Sequence, residues 1–298
     1  MNKYSKKKIT LKKELCSPKN NEDSRSFTCY TDEQLNKLKD LWNARYQDNQ
    51  IKSNSSIEIW KFLKNNLSDK CDVESCWLRR KFVENDLENV LLNRVFAPYA
   101  PESWNHNINE WLSSVDITKV MKQWETKYKC FSFIGPSPID FDEQMLYGEC
   151  VWDELCNFNL VDYIKKDKTK LGFIFNTDPH YKHGRHWISM FINIKKKYIY
   201  FFDSNGNTIP KQIKYLVKRI MKQGENINIH FNFFENAPFV HQKKDSECGM
   251  YSLYFIIELL RDNKTPEYFS SNRVSDNEME QKRNQYFNII PLENNDNK

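Results

Sequence analysis

Between Cys248 and Ile257 the chain reads Cys-Gly-Met-Tyr-Ser-Leu-Tyr-Phe-Ile-Ile. A helix apolar almost all round cannot lie on a surface and has to be covered by other elements. The segment therefore demands a sizeable core built around it. The chain can supply one, because its 298 residues include 20 Phe, 15 Tyr and 8 Trp, which excludes wholesale disorder. With 7 Gly and 10 Pro, collagen-like and low-complexity classes are excluded as well. The longest apolar run, Met250 to Leu260, contains Ser252 and Glu258 and falls well short of the roughly 20 residues a membrane helix needs. The first 30 residues hold lysines but no apolar stretch of the signal-peptide kind. A protein that is neither secreted nor membrane-bound is expected.

The elements that cover this helix are legible on either side of it. Leu171–Asn176, His186–Ile194 and Tyr198–Phe202 are short β-rich runs, the last two joined by Lys195-Lys196-Lys197 as in an antiparallel hairpin. Pro210 opens a helix with the apolar face Ile213, Leu216, Val217, Ile220 and Met221, which Gly224 is expected to stop. Ile227, Ile229, Phe231 and Phe233 alternate strictly, which predicts a further strand. Ser275-x-x-Glu278 caps a final helix. The order β-β-β-α-β-α indicates an α+β domain with a mixed central sheet flanked by helices.

Upstream, the chain is helical and polar. Thr31-x-x-Gln34 is a capping-box start followed by Leu35, Leu38, Leu41 and Trp42, and Ser55-x-x-Glu58 opens a second helix with Ile59, Phe62, Leu63 and Leu67. A third helix is expected from Glu84 to Val95, and Pro98-Tyr99-Ala100-Pro101 then breaks the pattern. The expected organisation is a basic flexible tail at 1–30, a helical arm at 31–98 and a catalytic core at 99–298.

Lys and Arg outnumber Asp and Glu by 45 to 40. The surplus is uneven: Lys3, Lys6, Lys7, Lys8, Lys12, Lys13 and Lys19 face only Glu14 in the first twenty residues. Such a tail can touch nucleic acid, although a solvated terminus is the simpler reading. The eight cysteines, Cys16, Cys29, Cys71, Cys76, Cys130, Cys150, Cys156 and Cys248, form no Cys-x-x-Cys pair. Reduced thiols are expected, not a disulfide framework. The spacing from Cys71 to Cys76 is weak support for zinc, so no metal is expected.

One of these cysteines sits where chemistry is favoured. Cys248 opens the apolar helix after the polar loop Gln242-Lys-Lys-Asp-Ser-Glu247. A helix N-terminus offers unpaired N–H groups and a positive dipole end, both of which favour thiolate. Gly249 would let a substrate backbone approach. A thiolate nucleophile needs a base and a group that orients the base. His186 begins a strand, and Asp203 ends its hairpin partner seventeen residues on, so the two can meet. Gln242, six residues before Cys248, can donate to an oxyanion beside the Cys248 backbone N–H. Each piece alone has a plain structural reading. A cysteine before an apolar helix is usually a core residue, His180 and His183 are rival histidines, and Asp203-Ser-Asn-Gly206 suits a turn. The combination is what points to catalysis.

The order His186-Trp187, Asp203, Gln242, Cys248-Gly249 resembles the ubiquitin-like-protein (SUMO) proteases and the adenain-like viral proteases. Within that family it is most similar to the polyprotein protease of African swine fever virus and its giant DNA virus counterparts. The likeness extends to Cys71-Asp-Val-Glu-Ser-Cys76, Asn176-Thr-Asp178, Asp203-Ser-Asn-Gly-Asn207, His241 to Gly249 and Arg273 to Met279, over roughly residues 55 to 290. The swine fever enzyme carries Asn where Asp203 stands, whereas the cellular members carry Asp. The resemblance implies a cysteine endopeptidase with Trp187 in an aromatic lid over a Gly-Gly substrate backbone. Trp111, in Trp111-Leu112-Ser113, is similar to the cellular family's second lid tryptophan. It further implies cleavage of viral structural precursors at Gly-Gly-Xaa-like sites during virion maturation, in the virion and the host-cell cytoplasm at the virus factory. The alternatives are an isopeptidase acting on modifier–lysine conjugates and an inactive docking module. The partner expected is a polypeptide, and no cofactor is implied because nucleophile, base and oxyanion donors all come from the chain.

Overall fold

The structure, a computed structural model, describes residues 11–83 and 85–289, so Lys3, Lys6, Lys7 and Lys8 of the basic tail lie outside the described residues. The described chain falls into two units. One comprises the residues up to Ala100 together with those from Tyr286 onward, and the other is Pro101–Gln285. This corrects the expected 99–298 core, because the chain returns to the first unit at its end.

In the first unit the expected arm helices form, the first on its capping box and the second without a side-chain bond from its Ser55 cap. Helix α1 (Asp32–Arg45) starts with a complete capping box, in which the Gln34 N–H donates to Thr31 Oγ1 and the Thr31 N–H donates to Gln34 Oε1. Its Leu35, Leu38 and Trp42 are buried against Ile59, Leu63 and Leu67 of α2 (Ser56–Leu67). Helix α3 (Asn85–Val95) completes the set. The expected flexible tail is corrected from residue 11 on. Cys16 bridges Phe96, the Ser17 N–H donates to the Val95 carbonyl (2.9 Å), and Glu14 is buried. The cysteine expectation is corrected too. Cys16–Cys29, Cys71–Cys76 and Cys150–Cys156 are disulfides, and only Cys130 and Cys248 are free. Their Cα separations of 5.1, 5.6 and 6.2 Å suit a disulfide, a proximity that the fold creates and spacing alone does not announce.

Two buried carboxyls lie beneath α2. Glu74 accepts from Trp60 Nε1 (2.5 Å), Thr28 Oγ1 (2.8 Å) and the Cys29 N–H (3.1 Å). Burial outweighs these donors and, with nearby Glu14, pushes its pKa up to about 7. The unfolded chain gives up this proton near the ordinary value of 4.5, whereas the folded chain holds it until about 7. The cost of burying the charge is therefore absent at low pH and develops fully as pH rises past 7, at roughly 3 kcal/mol. The melting temperature of the first unit is expected to fall as pH rises from 5 to 7.5. Glu74→Gln should flatten that slope in a fluorescence melt, and an unchanged slope would contradict the assignment.

In the second unit, the described residues form one five-stranded sheet in the order β1-β2-β3-β4-β5: Phe131–Pro138, Lys170–Asn176, Trp187–Asn193, Tyr198–Phe202 and Asn232–Glu235. The outer pairs are parallel and the inner ones antiparallel, so the expected mixed sheet forms. Besides several short helical turns, two longer elements are not legible in the sequence. β1 contains Gly135, Pro136 and Pro138, which normally disqualify a strand, but an edge strand tolerates them; the register shifts between Ile134 and Ser137. Helix α4 (Ser114–Lys127) is capped by Ser113 and Asp116, a capping box with Asp in place of Glu or Gln.

Helix α5 (Lys211–Glu225) runs through Gly224 instead of stopping there. A Cβ at Gly224 would lie 2.6 Å from the Ile229 carbonyl, so glycine serves close approach. The strand expected from Ile227 is likewise shorter. Ile227 and Ile229 both donate to the Gly224 carbonyl (2.9 Å) in a turn, and β5 begins only at Asn232. Helix α6 (Cys248–Leu260) is buried at every residue, as its all-round apolarity requires, and packs on β2, β3 and α4. Helix α7 (Asp276–Tyr286) follows Ser275, whose Oγ accepts from the Glu278 N–H (3.2 Å). No described helix is long and apolar enough to cross a membrane.

Candidate active site

The same ends of neighbouring strands and of α6 meet at one place. His186 immediately precedes β3, Asp203 immediately follows β4, and Asn236 immediately follows β5. The β3–β4 ladder ends at Ser189 and Phe202, which leaves both chains free to turn their next polar side chains toward each other. His186 Nε2 lies 2.6 Å from Asp203 Oδ1. Asn205 Nδ2 is a more distant neighbour of the same nitrogen at 3.4 Å. Asp203 is in turn held on all sides. Its Oδ1 accepts from the Asn205 N–H (2.9 Å) and its Oδ2 from Asn207 Nδ2 (2.9 Å). The Asn236 amide brackets its backbone, accepting from the Asp203 N–H (2.9 Å) and donating to the Asp203 carbonyl (2.7 Å).

Cys248 is the first residue of α6 and is free, so the N–H groups of the first turn surround it. Its side chain acts on His186, whose pKa it raises together with Asp203. With Nε2 taken by Asp203, Nδ1 is the ring nitrogen left for the sulfur. Burial alone would lower the His186 pKa, but the hydrogen bonds and charges of Asp203 and Cys248 outweigh it and lift it to about 9. The imidazole thus holds its proton at neutral pH and loses it as pH rises through about 9. Asp203→Asn removes the charge while sparing the shape, so the His186 pKa should drop by roughly 1–3 units. An NMR titration of the imidazole checks this, and a pKa unmoved from about 9 would show that Asp203 is not what raises it.

Gln242 is buried beside this pair. Its N–H and that of His241 both donate to the Ser204 carbonyl (2.9 Å). Its Oε1 accepts from Ser204 Oγ (2.7 Å), and its Nε2 donates to the Lys244 carbonyl (2.5 Å). The preceding residue fixes the loop. Buried His241 has a pKa below its ordinary value because burial disfavours its charge, and the neutral ring sits between the Phe269 carbonyl (2.8 Å, Nε2) and the Val274 N–H (3.1 Å, Nδ1). On the other side of the nucleophile, Glu247 and Arg283 form a wholly buried bidentate pair at 2.9 and 3.0 Å.

Trp187 donates from Nε1 to the Leu112 carbonyl (2.8 Å). A Cβ at Gly249 would lie 3.0 Å from Leu112 Cβ. The role expected of Gly249 is corrected accordingly, since the space left by its missing side chain is occupied by Leu112. Cys248 is 2% exposed. Trp111, 46% exposed, stands at the mouth of a cleft of about 600 Å³ that Leu112, Trp152, His180 and Trp187 also line. His186, Asp203 and Cys248 are thus brought together with Gln242 alongside. Rival His180 is engaged elsewhere, with Asp140 (2.7 Å). Ser204, Asn236 and Leu112 were missed, for they are ordinary polar and apolar residues that only the fold places here. No described group of His, Cys, Asp and Glu is arranged to hold a metal ion.

A family model described as the Ulp1 protease family, C-terminal catalytic domain, matches residues 105–293. A thiol protease of Acanthamoeba polyphaga mimivirus is 32% identical over 185 residues, which cover 61% of this chain and 58% of that protein. The chain therefore spans little more than half of the mimivirus relative. The SUMO-1 cysteine protease of African swine fever virus is 28% identical over 257 residues, covering 78% of this chain and 88% of the other. The crystal structure of the African swine fever virus protease superposes with a TM-score of 0.67 at 22% identity, covering 95% of this chain and 98% of that one, a likeness of fold. The matched family model takes in β1 to β5 and every residue of the His186–Asp203–Cys248 cluster, and on that basis the chain belongs to the Ulp1 protease family and is a cysteine protease.

Proposed function

We propose that Cys248 is the nucleophile, His186 its acid–base partner, Asp203 the group that orients the imidazole, and Gln242 with the Cys248 N–H the oxyanion donors. The single observation that supports this most is the position of His186, held by the Asp203 carboxylate at 2.6 Å on one nitrogen and under the electrostatic influence of Cys248. Sulfur and imidazole share one proton, which rests on His186 at neutral pH, and the sulfur adds as thiolate to the scissile carbonyl. The imidazolium then protonates the leaving amine, and the acyl-enzyme is hydrolysed by a water that His186 deprotonates. A ring that keeps its proton up to about pH 9 is suited to delivering it to an amine.

The substrate proposed is a viral structural precursor cut at Gly-Gly-Xaa-like sites during particle maturation, in the virion and the virus factory of the host cell. Relatives from two giant DNA viruses support the setting. Leu112, packed against Gly249 and tied through its carbonyl to Trp187, supports small residues before the scissile bond, where a bulky side chain would collide. Trp111 completes the proposed lid. A second reading is favoured by the likeness to the swine fever relative, a SUMO-1 cysteine protease: release of a ubiquitin-like modifier from lysine. Both use the same chemistry, so a side-by-side assay decides. The purified protein is expected to cleave a Gly-Gly-Xaa peptide from a capsid precursor and to leave a SUMO–lysine conjugate intact. Faster turnover of the conjugate would transfer the assignment to the deconjugating class, and equal cleavage of a Phe-Phe-Xaa peptide would remove the small-residue rule.

A further inference from the structure

We infer that Ser204 is a positioning residue for oxyanion stabilisation: its buried hydroxyl and the Lys244 carbonyl together fix the Gln242 carboxamide so that one N–H remains for the reacting oxygen. This rests on the assignment of Gln242 as an oxyanion donor and goes one contact beyond it.

A carboxamide has a donor end and an acceptor end of nearly the same shape. Turned the wrong way, it would present an oxygen to a developing oxyanion and repel it. Two contacts decide the orientation here. The Lys244 carbonyl can only accept, so the end facing it at 2.5 Å must be Nε2. The opposite end, Oε1, then accepts from Ser204 Oγ at 2.7 Å. Ser204 is 1% exposed and Gln242 6%, so bulk water does not substitute for either partner. Ser204 also takes the Gln242 backbone N–H on its carbonyl (2.9 Å), and the residue is therefore held at both its main chain and its side-chain tip. One N–H of Nε2 is used by Lys244, and the other has no acceptor among the described residues.

Ser204 follows Asp203 directly. One short turn therefore sends a carboxylate to His186 and a hydroxyl to Gln242, so the base and the oxyanion donor are indexed to the same piece of backbone. Asn236, which brackets that backbone at the Asp203 N–H and carbonyl, holds the turn in place. Donors that are fixed before the reaction cost no reorganisation when charge develops, and a displacement of about 1 Å in such a group costs on the order of 10² in rate.

The test uses a peptide aldehyde ending in Gly-glycinal. The Cys248 sulfur adds to its carbonyl carbon, the π electrons move to oxygen, and the thiol proton, carried by His186, completes a hemithioacetal whose oxygen occupies the oxyanion position. Wild type, Ser204→Ala, Gln242→Ala and the double variant are compared. Ser204→Ala is expected to weaken aldehyde inhibition and lower kcat by roughly tenfold or more, with KM changed by less than about twofold. Alkylation of Cys248 by iodoacetamide, read by mass spectrometry so that Cys130 is counted separately, needs no oxyanion donor and should be unchanged. In the Gln242→Ala background, Ser204→Ala should add nothing, because its only route is through Gln242. If Ser204→Ala is unfolded at the assay temperature, Ser204→Cys, close in size and a weak donor, takes its place for inhibition and turnover.

Wild-type aldehyde affinity in Ser204→Ala alongside a loss in Gln242→Ala would overturn the inference and leave the proposed function standing. Full additivity in the double variant would overturn it as well, marking Ser204 as merely structural. Unchanged affinity in Gln242→Ala would remove the oxyanion assignment itself, and the inference with it.

Discussion

Cys248→Ala is expected to reduce cleavage of a Gly-Gly-Xaa reporter to the level of the buffer, because no other thiol stands beside His186. Cys130 is the second free cysteine, but it ends the loop before β1 and makes no contact in the triad. Losing the nucleophile of an integrated triad costs about 10⁶ in kcat in enzymes of comparable logic. The substitution removes one sulfur from the end of a helix, so the melting temperature should stay close to that of the wild type. Burst-phase kinetics with an activated ester would register the acyl-enzyme directly and should lose the burst altogether. Residual cleavage by folded Cys248→Ala at more than a trace of the wild-type rate would exclude Cys248 as the nucleophile.

The largest effect on stability is expected one residue earlier. Glu247 and Arg283 are both fully buried and joined by two hydrogen bonds, with the guanidinium 4.5 Å from the ring centre of Trp104. Arg283→Met keeps much of the side-chain volume but strands a carboxylate in the core, at a cost of about 3–5 kcal/mol. That is a large share of the roughly 5–15 kcal/mol a native domain has, and urea unfolding should show it. The double variant Glu247→Gln/Arg283→Met should recover most of the loss, because no charge is left behind. A loss below about 1 kcal/mol in Arg283→Met would mean that water reaches Glu247 and that the pair is not the anchor of the α6 N-terminus.

How much of this could be read from the sequence depends on where each signal resides. The apolar helix, the hairpin and the order of His186, Asp203, Gln242 and Cys248 are local patterns tied to strand and helix ends, and they survive folding unchanged. β1 was illegible because its glycine and prolines argue against a strand unless its edge position is already known. Helix α4 was missed because Asp116 completes its capping box in place of the Glu or Gln sought. The disulfides reflect distances that only the folded chain has. Ser204 and Asn236 carry no signature at all; a serine and an asparagine become positioning groups only when three strand ends converge. Gly249 shows the opposite error. Its lack of a side chain was noticed, but the space it leaves is filled by Leu112.

The Asn288 amide joins three stretches of the first unit. It accepts from the Leu15 N–H (2.7 Å) and donates to the carbonyls of Leu15 (3.2 Å) and Ala97 (2.9 Å), while its main chain pairs with Pro98 and Ala100. During synthesis, residues 15 and 97 leave the ribosome long before residue 288 does. This tie between Leu15 and Ala97 can therefore be made only after the whole Pro101–Gln285 unit has been synthesised. The clasp on the arm is thus the latest of these contacts to become available to the nascent chain.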